Sequence, residues 1–312
     1  MPPRVVVVTG STATGKTAVG AALAKEISGE VISADSMQLY QMMNIGTAKP
    51  STEEMLGVPH HMLGTASPFE GYSVSRYVRD AARCVDDVLA RGKLPLIVGG
   101  TGLYIESLLS DRDFAPRDDS GAREKYSALY EEKGGEEMLR LLGEKDPERA
   151  RRLHPNDKKR IIRALEAAEQ GEPLSRHDAL TRTAPPRYDA AVIVLNFSDR
   201  AELYRRIDRR VDDMMKRGLL EEVKALLRAG LTPAHTAMQA IGYKELCAAL
   251  GGECTVEEAV EVIKRKSRRY AKRQISWCRR YENALRIDWD TAPDLAEGLR
   301  LSTKFLRGSG VR

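Results

Sequence analysis

Cysteine, histidine and aromatic residues are scarce in this chain, and no long apolar run occurs. Its 312 residues include 4 cysteines, 5 histidines and 5% aromatics. Cys84, Cys247, Cys254 and Cys278 are scattered without a Cys-x-x-Cys pair, which argues against a zinc site and against a disulfide framework. His60 and His61 have neither metal-ligand spacing nor a cysteine or carboxylate nearby in sequence, so a structural or substrate-shaping role is expected of them. No apolar stretch approaches the roughly 18 residues of a membrane span. The start, MPPRVVVVTG, runs straight into a strand pattern rather than a signal peptide. A cytoplasmic protein with no membrane partner is expected, and neither an internal repeat nor a low-complexity segment interrupts it.

What is present is enough for a sizeable core. The chain is 42% hydrophobic, and its length suits one large domain or two smaller ones. Net charge is +5, unevenly spread: Lys and Arg stand to Asp and Glu as 10 to 12 over residues 1–115, 16 to 16 over 116–190 and 24 to 17 over 191–312. The excess in the last third points to a polyanionic partner there.

Apolar runs RVVVVTG, GEVISADS and KLPLIVGGTG alternate with helical patterns GKTAVGAALAKEI and VSRYVRDAARCVDDVLARG. Short, almost wholly apolar strands separated by helices indicate a doubly wound parallel sheet covered on both faces. From about Ala115 to Pro186 the pattern becomes charge-rich and helical, broken by DPE, HPND, GEP and APP. DAAVIVLNF (189–197) then resumes the strand signal, and helices follow, the last from about Thr255 to Glu282. The expected organisation is an α/β core of residues 1–115 and 187–312, with an all-helical insertion at 116–186 and a helical C-terminal region.

Ligands in such sheets gather at the carboxyl ends of the strands. Those ends carry GSTATGKT (Gly10, Ser11, Thr12, Ala13, Thr14, Gly15, Lys16, Thr17), Asp35-Ser36 and Gly99-Gly100-Thr101. The first fits the phosphate-binding loop, glycine, four residues, glycine, lysine, then serine or threonine, between a strand and a helix. It makes the fold P-loop NTPase-like. The glycines let successive N–H groups turn inward, the new helix adds its positive end, Lys16 supplies a mobile cation and Thr17 offers a hydroxyl to a phosphate-bound magnesium ion.

A loop of this kind first suggests a small-molecule or nucleotide kinase. Such a kinase normally has a later strand ending in an acidic residue that organises the metal, whereas LPLIVGG ends at Thr101 and the carboxylate at a strand end is Asp35. The stretch EVIKRKSRRYAKRQISWCRRY (261–281) holds nine Lys or Arg and one Glu. On a helix Arg265, Arg268, Lys272 and Arg279 share one face, with Val260, Ile263, Ala271, Ile275 and Cys278 largely opposite. Such nearly unmixed positive charge suits contact with a nucleic-acid backbone; a merely solvated face is the alternative. The kinase and a non-catalytic RNA-binding protein both remain open at this point.

The ordered set GSTATGKT, ISADSMQLY, MNIGTAKP, PHHML, YSVSRYVRDA, PLIVGGTGLY, HPNDKKRIIRALE, AIGYKEL and KRKSRRYAKRQISWCRR resembles the tRNA dimethylallyltransferases over about residues 5 to 290. The family often has Gly-Pro-Thr-Ala-Ser-Gly-Lys-Thr where this chain has Ser11 and Thr14. The C-terminal zinc finger of many eukaryotic members is excluded by the cysteine count, leaving the shorter, bacterial-type form.

The resemblance implies transfer of a dimethylallyl group from dimethylallyl diphosphate to N6 of the adenosine 3′ of the anticodon, in tRNAs reading codons that begin with U. It implies Asp35 as general base and Thr101 as a hydrogen-bond donor to the bridging oxygen. It further implies Lys16 and Arg210 as stabilisers of the departing diphosphate, Arg206 and Arg209 being alternatives to Arg210. Contacts to the tRNA anticodon stem-loop would come from Asp35, Ser36, Met37, Gln38, Thr101, Arg123, Lys159, Arg160, Ile161, Ile162, Arg163, Gln239, Ala240, Ile241, Gly242, Tyr243 and Lys244, with Arg268 and Lys272 of the basic helix. The base would leave its stack and plug an apolar tunnel. Magnesium is the expected cofactor and a monomer the expected state.

Overall fold

The computed structural model describes residues 2–110, 112, 114–115 and 121–310. In chain order the strands are β1 (Arg4–Gly10), β2 (Glu30–Ser33), β3 (His60–His61), β4 (Pro95–Gly99), β5 (Asp189–Phe197) and β6 (Leu285–Trp289). The helices are α1 (Lys16–Glu26), α2 (Val74–Ala90), α3 (Gly102–Leu109), α4 (Ala122–Lys145), α5 (Pro147–Ala150), α6 (Lys158–Glu169), α7 (Leu174–Thr183), α8 (Arg200–Lys216), α9 (Leu219–Arg228), α10 (Tyr243–Leu250), α11 (Val256–Cys278) and α12 (Leu295–Gly308).

The strands form one parallel sheet in the order β3-β2-β4-β1-β5-β6. Burial explains the order. β1 and β4 are largely apolar, and these two strands and β2 are buried along almost their whole length, so they take inner places, where both faces are covered. At the centre Val7 pairs with Ile97 on one side and Val192 on the other. β6, LRIDW, alternates between exposed and buried residues, as an edge strand does. That alternation, too short to stand out as an apolar run, is why the sequence reading contains no strand there; the two-residue β3 is likewise absent from it.

The chain leaves this sheet after α3 and rejoins it at Arg187, whose N–H donates to Leu109 O at 2.8 Å. Two compact units result, Met1–Leu109 with Arg187–Arg312, and Ser110–Pro186. The second unit therefore starts earlier than the expected residue 116, which itself lies outside the described residues. Its core is Tyr126, Met138, Leu142, Ile161 and Leu165, gathered from α4 and α6. In the first unit Val6, Val8, Leu23, Val98, Ile193 and Leu195 form the centre of the core.

His61 has a carboxylate partner that sequence distance conceals. Its Nε2 lies 2.8 Å from Glu30 Oε2, and Arg91 and Lys93 also bind this almost fully buried carboxylate. The Arg91 hydrogen bonds, with those of Lys93 and His61, hold the Glu30 carboxyl far below the usual carboxylate range against the opposing cost of burial. His61 thereby pins β3 to β2, a structural role.

Gly10 ends β1 at φ +147°, where a Cβ would lie 2.1 Å from Leu195 O of the paired strand. Backbone, not a movable side chain, fills that space. Gly10→Ala should therefore lower unfolding stability by at least about 2 kcal/mol, read by denaturant titration, and a variant as stable as the parent would show that the β1–β5 pairing can yield at this point.

Candidate active site

A cavity of about 800 Å³ opens at the carboxyl ends of β1, β2 and β4, within the first unit. Its floor is the loop between β1 and α1. Thr12, Ala13, Gly15, Lys16 and Thr17 line the cavity, whereas Ser11 and Thr14 are buried beneath. The loop is braced from four directions. Thr14 Oγ1 donates to Ser11 O at 2.8 Å, Trp289 Nε1 to Thr14 O at 3.0 Å and Arg206 Nε to Ala13 O at 3.3 Å, while Thr12 N donates to Gln274 Oε1 at 2.8 Å. Thr12 was expected to turn its amide toward a phosphate. Its amide is instead committed to Gln274, because α11 brings a buried amide oxygen to it.

Lys16 Nζ donates to Ser11 O at 2.6 Å. Burial, and then the neighbouring Arg210 cation, pull its pKa down to about 8, opposed by Asp35. Arg210 is itself pulled down by burial and supported by Asp35 and Glu54. Of the three arginines weighed on α8, Arg206 touches the loop carbonyl, Arg209 is largely exposed and Arg210 faces Lys16 and Asp35. Lysine and arginine lining the cavity number six (Lys16, Arg206, Arg209, Arg210, Arg217, Arg273) against three carboxylates (Asp35, Glu54, Asp213), so its field favours a multiply charged anion.

Asp35 stands two residues beyond the end of β2. Its Oδ1 accepts from Met37 N at 2.9 Å and Gln38 N at 3.3 Å, closing an Asx turn that fixes the side chain over the cavity. Thr101 N donates to Ala34 O at 3.1 Å, tying the ends of β2 and β4 together. The Thr101 hydroxyl accepts from Ser36 N at 3.1 Å and does not line the cavity wall; in this structure it braces the Asp35–Ser36 turn. Two tyrosines from the quoted motifs, given no role by the sequence reading, pack nearby: Tyr77 donates to Ser33 O at 3.1 Å and stacks on Tyr104 with ring centroids 4.0 Å apart. One wall, Gly46 to Ala48, is held by Glu222, whose carboxylate accepts from the N–H groups of Asn44, Ile45 and Gly46 at 2.9, 2.8 and 3.1 Å.

The expected RNA-contacting residues divide sharply. Asp35, Ser36, Met37, Gln38, Gln239, Ala240, Ile241 and Gly242 line the cavity. Tyr243 does not: it is fully buried, with its hydroxyl 2.5 Å from Glu222 Oε1. Gly242 N is committed to Glu245 Oε2 at 2.8 Å, and Lys244 is exposed outside the lining. In the second unit Ile161 and Ile162 are core residues, so their side chains are not available to RNA. Successive residues on a helix are 100° apart, and a block of five, 159–163, must include the buried face. Lys159 and Arg160 stand on the exposed face; Arg123 and Arg163 lie 3.1 and 3.6 Å from Glu166, and Arg163 also donates to Ala115 O.

The basic face of α11 is partly answered as well. Lys264 pairs with Asp212 at 2.8 Å, Lys266 with Glu245 at 2.7 Å and Arg268 with Asp208 at 2.5 Å. Arg268 is thus not a free cation, because α8 sets an acidic row against it. Among the described residues Arg265, Arg269, Lys272, Arg273 and Arg279 have no carboxylate within 4 Å. No group of three His, Cys, Asp or Glu able to hold a metal occurs among the described residues; Thr17, beside Lys16, lines the cavity at the cradle.

Family models described as IPP transferase and isopentenyl transferase match residues 38–281 and 3–72. The tRNA dimethylallyltransferase of Caldanaerobacter subterraneus subsp. tengcongensis is 48% identical over 282 residues, covering 89% of this chain and 90% of that protein. The crystal structure of a tRNA delta(2)-isopentenylpyrophosphate transferase from Staphylococcus epidermidis superposes with a TM-score of 0.72 at 37% identity, covering 98% and 99% of the two chains. A eukaryotic dimethylallyltransferase caught acting on tRNA gives 0.81 at 30% identity, covering 99% of this chain and 79% of that one.

With its pKa at about 8, Lys16 is charged below that pH and neutral above it. Inorganic pyrophosphate should consequently bind with net proton uptake above pH 8, its affinity falling by up to about tenfold per unit as pH rises. Calorimetry in two buffers of different ionisation enthalpy measures the uptake. Lys16→Met should abolish the part due to the lysine, and the same uptake in both proteins would remove Lys16 as its source.

Proposed function

Because this chain belongs to the IPP transferase family of tRNA dimethylallyltransferases, we propose that it moves a dimethylallyl group from dimethylallyl diphosphate to N6 of the adenosine 3′ of the anticodon. The tRNAs concerned read codons beginning with U, and the protein acts as a cytoplasmic monomer. The observation that carries this reading is a cationic phosphate cradle sharing one cavity with Asp35, the carboxylate beyond the end of β2, with no acidic residue at the end of β4 to organise nucleotide-bound metal.

The reaction has two difficulties, and each meets its own residues. The adenine amine is a weak nucleophile because its lone pair is delocalised. Asp35, held by the turn at Met37 and Gln38, accepts the N6 proton as the N–C bond forms. The C–O bond of the diphosphate breaks at the same time, and its electron pair leaves with the diphosphate. Lys16 and Arg210 stabilise that growing charge. Thr101 acts by holding the Asp35–Ser36 turn through Ser36 N. A hydroxyl suits one position of a hard oxygen-seeking cation whose other ligands are phosphate oxygens and water, so Thr17 would hold magnesium, which neutralises part of the diphosphate charge when bound. Apolar side chains of Val31, Leu63, Ile207, Val211 and Ile263 in the wall suit the hydrocarbon and keep water from the allylic carbon.

For the RNA, we assign phosphate contact to exposed Lys159 and Arg160 of the helical unit and to Lys272 of α11. The base enters from the loop of the anticodon, where extrusion costs less than from a duplex.

Incubation with unmodified tRNA, magnesium and dimethylallyl diphosphate, followed by nucleoside analysis, should yield isopentenyladenosine without ATP. Phosphoryl transfer from ATP without prenylation would instead establish a kinase, and neither product an RNA-binding protein alone. Asp35→Ala should lower turnover by roughly 10²- to 10⁴-fold while tRNA affinity stays nearly constant; near-normal turnover would take Asp35 out of the proton transfer.

Lys272→Ala should flatten the salt dependence of tRNA binding by about one unit of slope. Arg268→Ala, which breaks the pair with Asp208, should lower thermal stability and leave that slope nearly unchanged. Equal slopes for the parent and the Lys272 variant would show that this part of the helix does not meet phosphate.

A further inference from the structure

α11 has a polar residue where its position in the helix calls for an apolar one. Gln274 sits between Ala271 and Cys278 on the inward stripe and is only 6% exposed. An amide buried there is costly unless both of its ends are bonded. Both are: Oε1 accepts from Thr12 N at 2.8 Å and Nε2 donates to Gly100 O at 3.0 Å. One partner is a donor and the other an acceptor, so the amide has a single satisfactory orientation. The second contact needs the glycine, since a Cβ on residue 100 would lie 2.2 Å from Nε2.

These two partners belong to different halves of the cavity. Thr12 is part of the phosphate loop, and Gly100 immediately precedes Thr101, whose hydroxyl holds the N–H of Ser36 next to Asp35. Pairing of β1 with β4 ends at Thr9 and Gly99, where Thr9 Oγ1 also reaches Gly99 O at 2.9 Å. Gln274 continues the tie beyond the sheet. Tyr270, one turn earlier on α11, lines the same cavity as Gln274.

We infer that Gln274 is a positioning residue: by bridging Thr12 and Gly100 it fixes the separation between the diphosphate cradle and the amine-accepting end at Asp35, a role that rests on the alkyl-transfer reading above. The chemistry is sensitive to that separation. Nucleophile, allylic carbon and leaving oxygen must stay aligned, and misplacement by about 1 Å can cost on the order of 10²-fold in rate. When the adenine amine is out of line, water competes. Its oxygen then bonds to the allylic carbon, the C–O bond to diphosphate breaks with its electron pair on diphosphate, and water's proton is lost to solvent, giving dimethylallyl alcohol.

The test compares two products of the same folded molecules, so partial loss of folding cannot mimic the result. Unsubstituted protein, Gln274→Ala and Gln274→Glu are given tRNA, magnesium and radiolabelled dimethylallyl diphosphate, and prenylated RNA and dimethylallyl alcohol are both counted. Gln274→Glu keeps an acceptor for Thr12 but sets a second acceptor against Gly100 O, and it serves if the alanine variant does not fold. For either variant kcat for transfer should drop about 10- to 100-fold, KM for each substrate should stay within about threefold, and the ratio of alcohol to prenylated RNA should rise at least about tenfold. An unchanged ratio overturns the positioning role while leaving the function intact. Absence of prenylated RNA with the unsubstituted protein overturns the function and the inference with it.

Discussion

Lys16 and Arg210 share one cavity wall, and the cost of holding two cations together away from bulk water shapes everything around them. Like charges disfavour one another and burial disfavours both, so the wall is stable only if something negative answers it. Asp35 supplies part of that answer, as does Glu54 for Arg210. Under the proposed reaction a diphosphate takes over the role. The carboxylate that balanced the cations then faces the incoming amine as a proton acceptor. On that reading the same electrostatic arrangement binds one substrate and prepares the chemistry for the other.

The phosphate loop gains its shape from residues remote in sequence. Trp289 of β6, Arg206 of α8 and Gln274 of α11 each bond one of its backbone groups. A loop so braced spends its carbonyls and one amide on the protein and leaves the cavity side to the lysine, the hydroxyl of Thr17 and the start of α1. In a kinase such a cradle holds the group being moved. In the proposed reaction it holds the part left behind, and the segment after β4 has a threonine that braces a turn instead of an acid that gathers metal.

Much of the site was legible in the sequence because its pieces are local. A phosphate loop is eight consecutive residues, and Asp35 and Thr101 each stand two residues beyond a buried strand, so strand ends suffice to bring them together. Residues carried over as blocks fared less well. The stretches 159–163 and 239–244 contain Ile161, Ile162 and Tyr243, which are buried; on the first stretch a helix turns each successive side chain by 100°, so part of any such block must face inward. Gln274 was within reach of the same logic: it lies on the stripe of Ala271 and Cys278, and a lone amide on an apolar stripe signals a buried partner. His61 and Glu30, 31 residues apart, were not.

The sequence by itself determined the class of the sheet, the phosphate loop, the helical insertion and the family, since each depends on periodicity or on short runs of neighbours. Only the tertiary structure decided which charges remain available. Arg268, Lys264 and Lys266 look alike along α11, yet each is answered by an acid on α8 or α10, while Lys272 is left exposed among the described residues. It also set Arg206 against the carbonyl of Ala13 and Arg210 within electrostatic reach of Lys16 and Asp35. Electrostatic energy depends on distance through space, and no count along the chain supplies that distance.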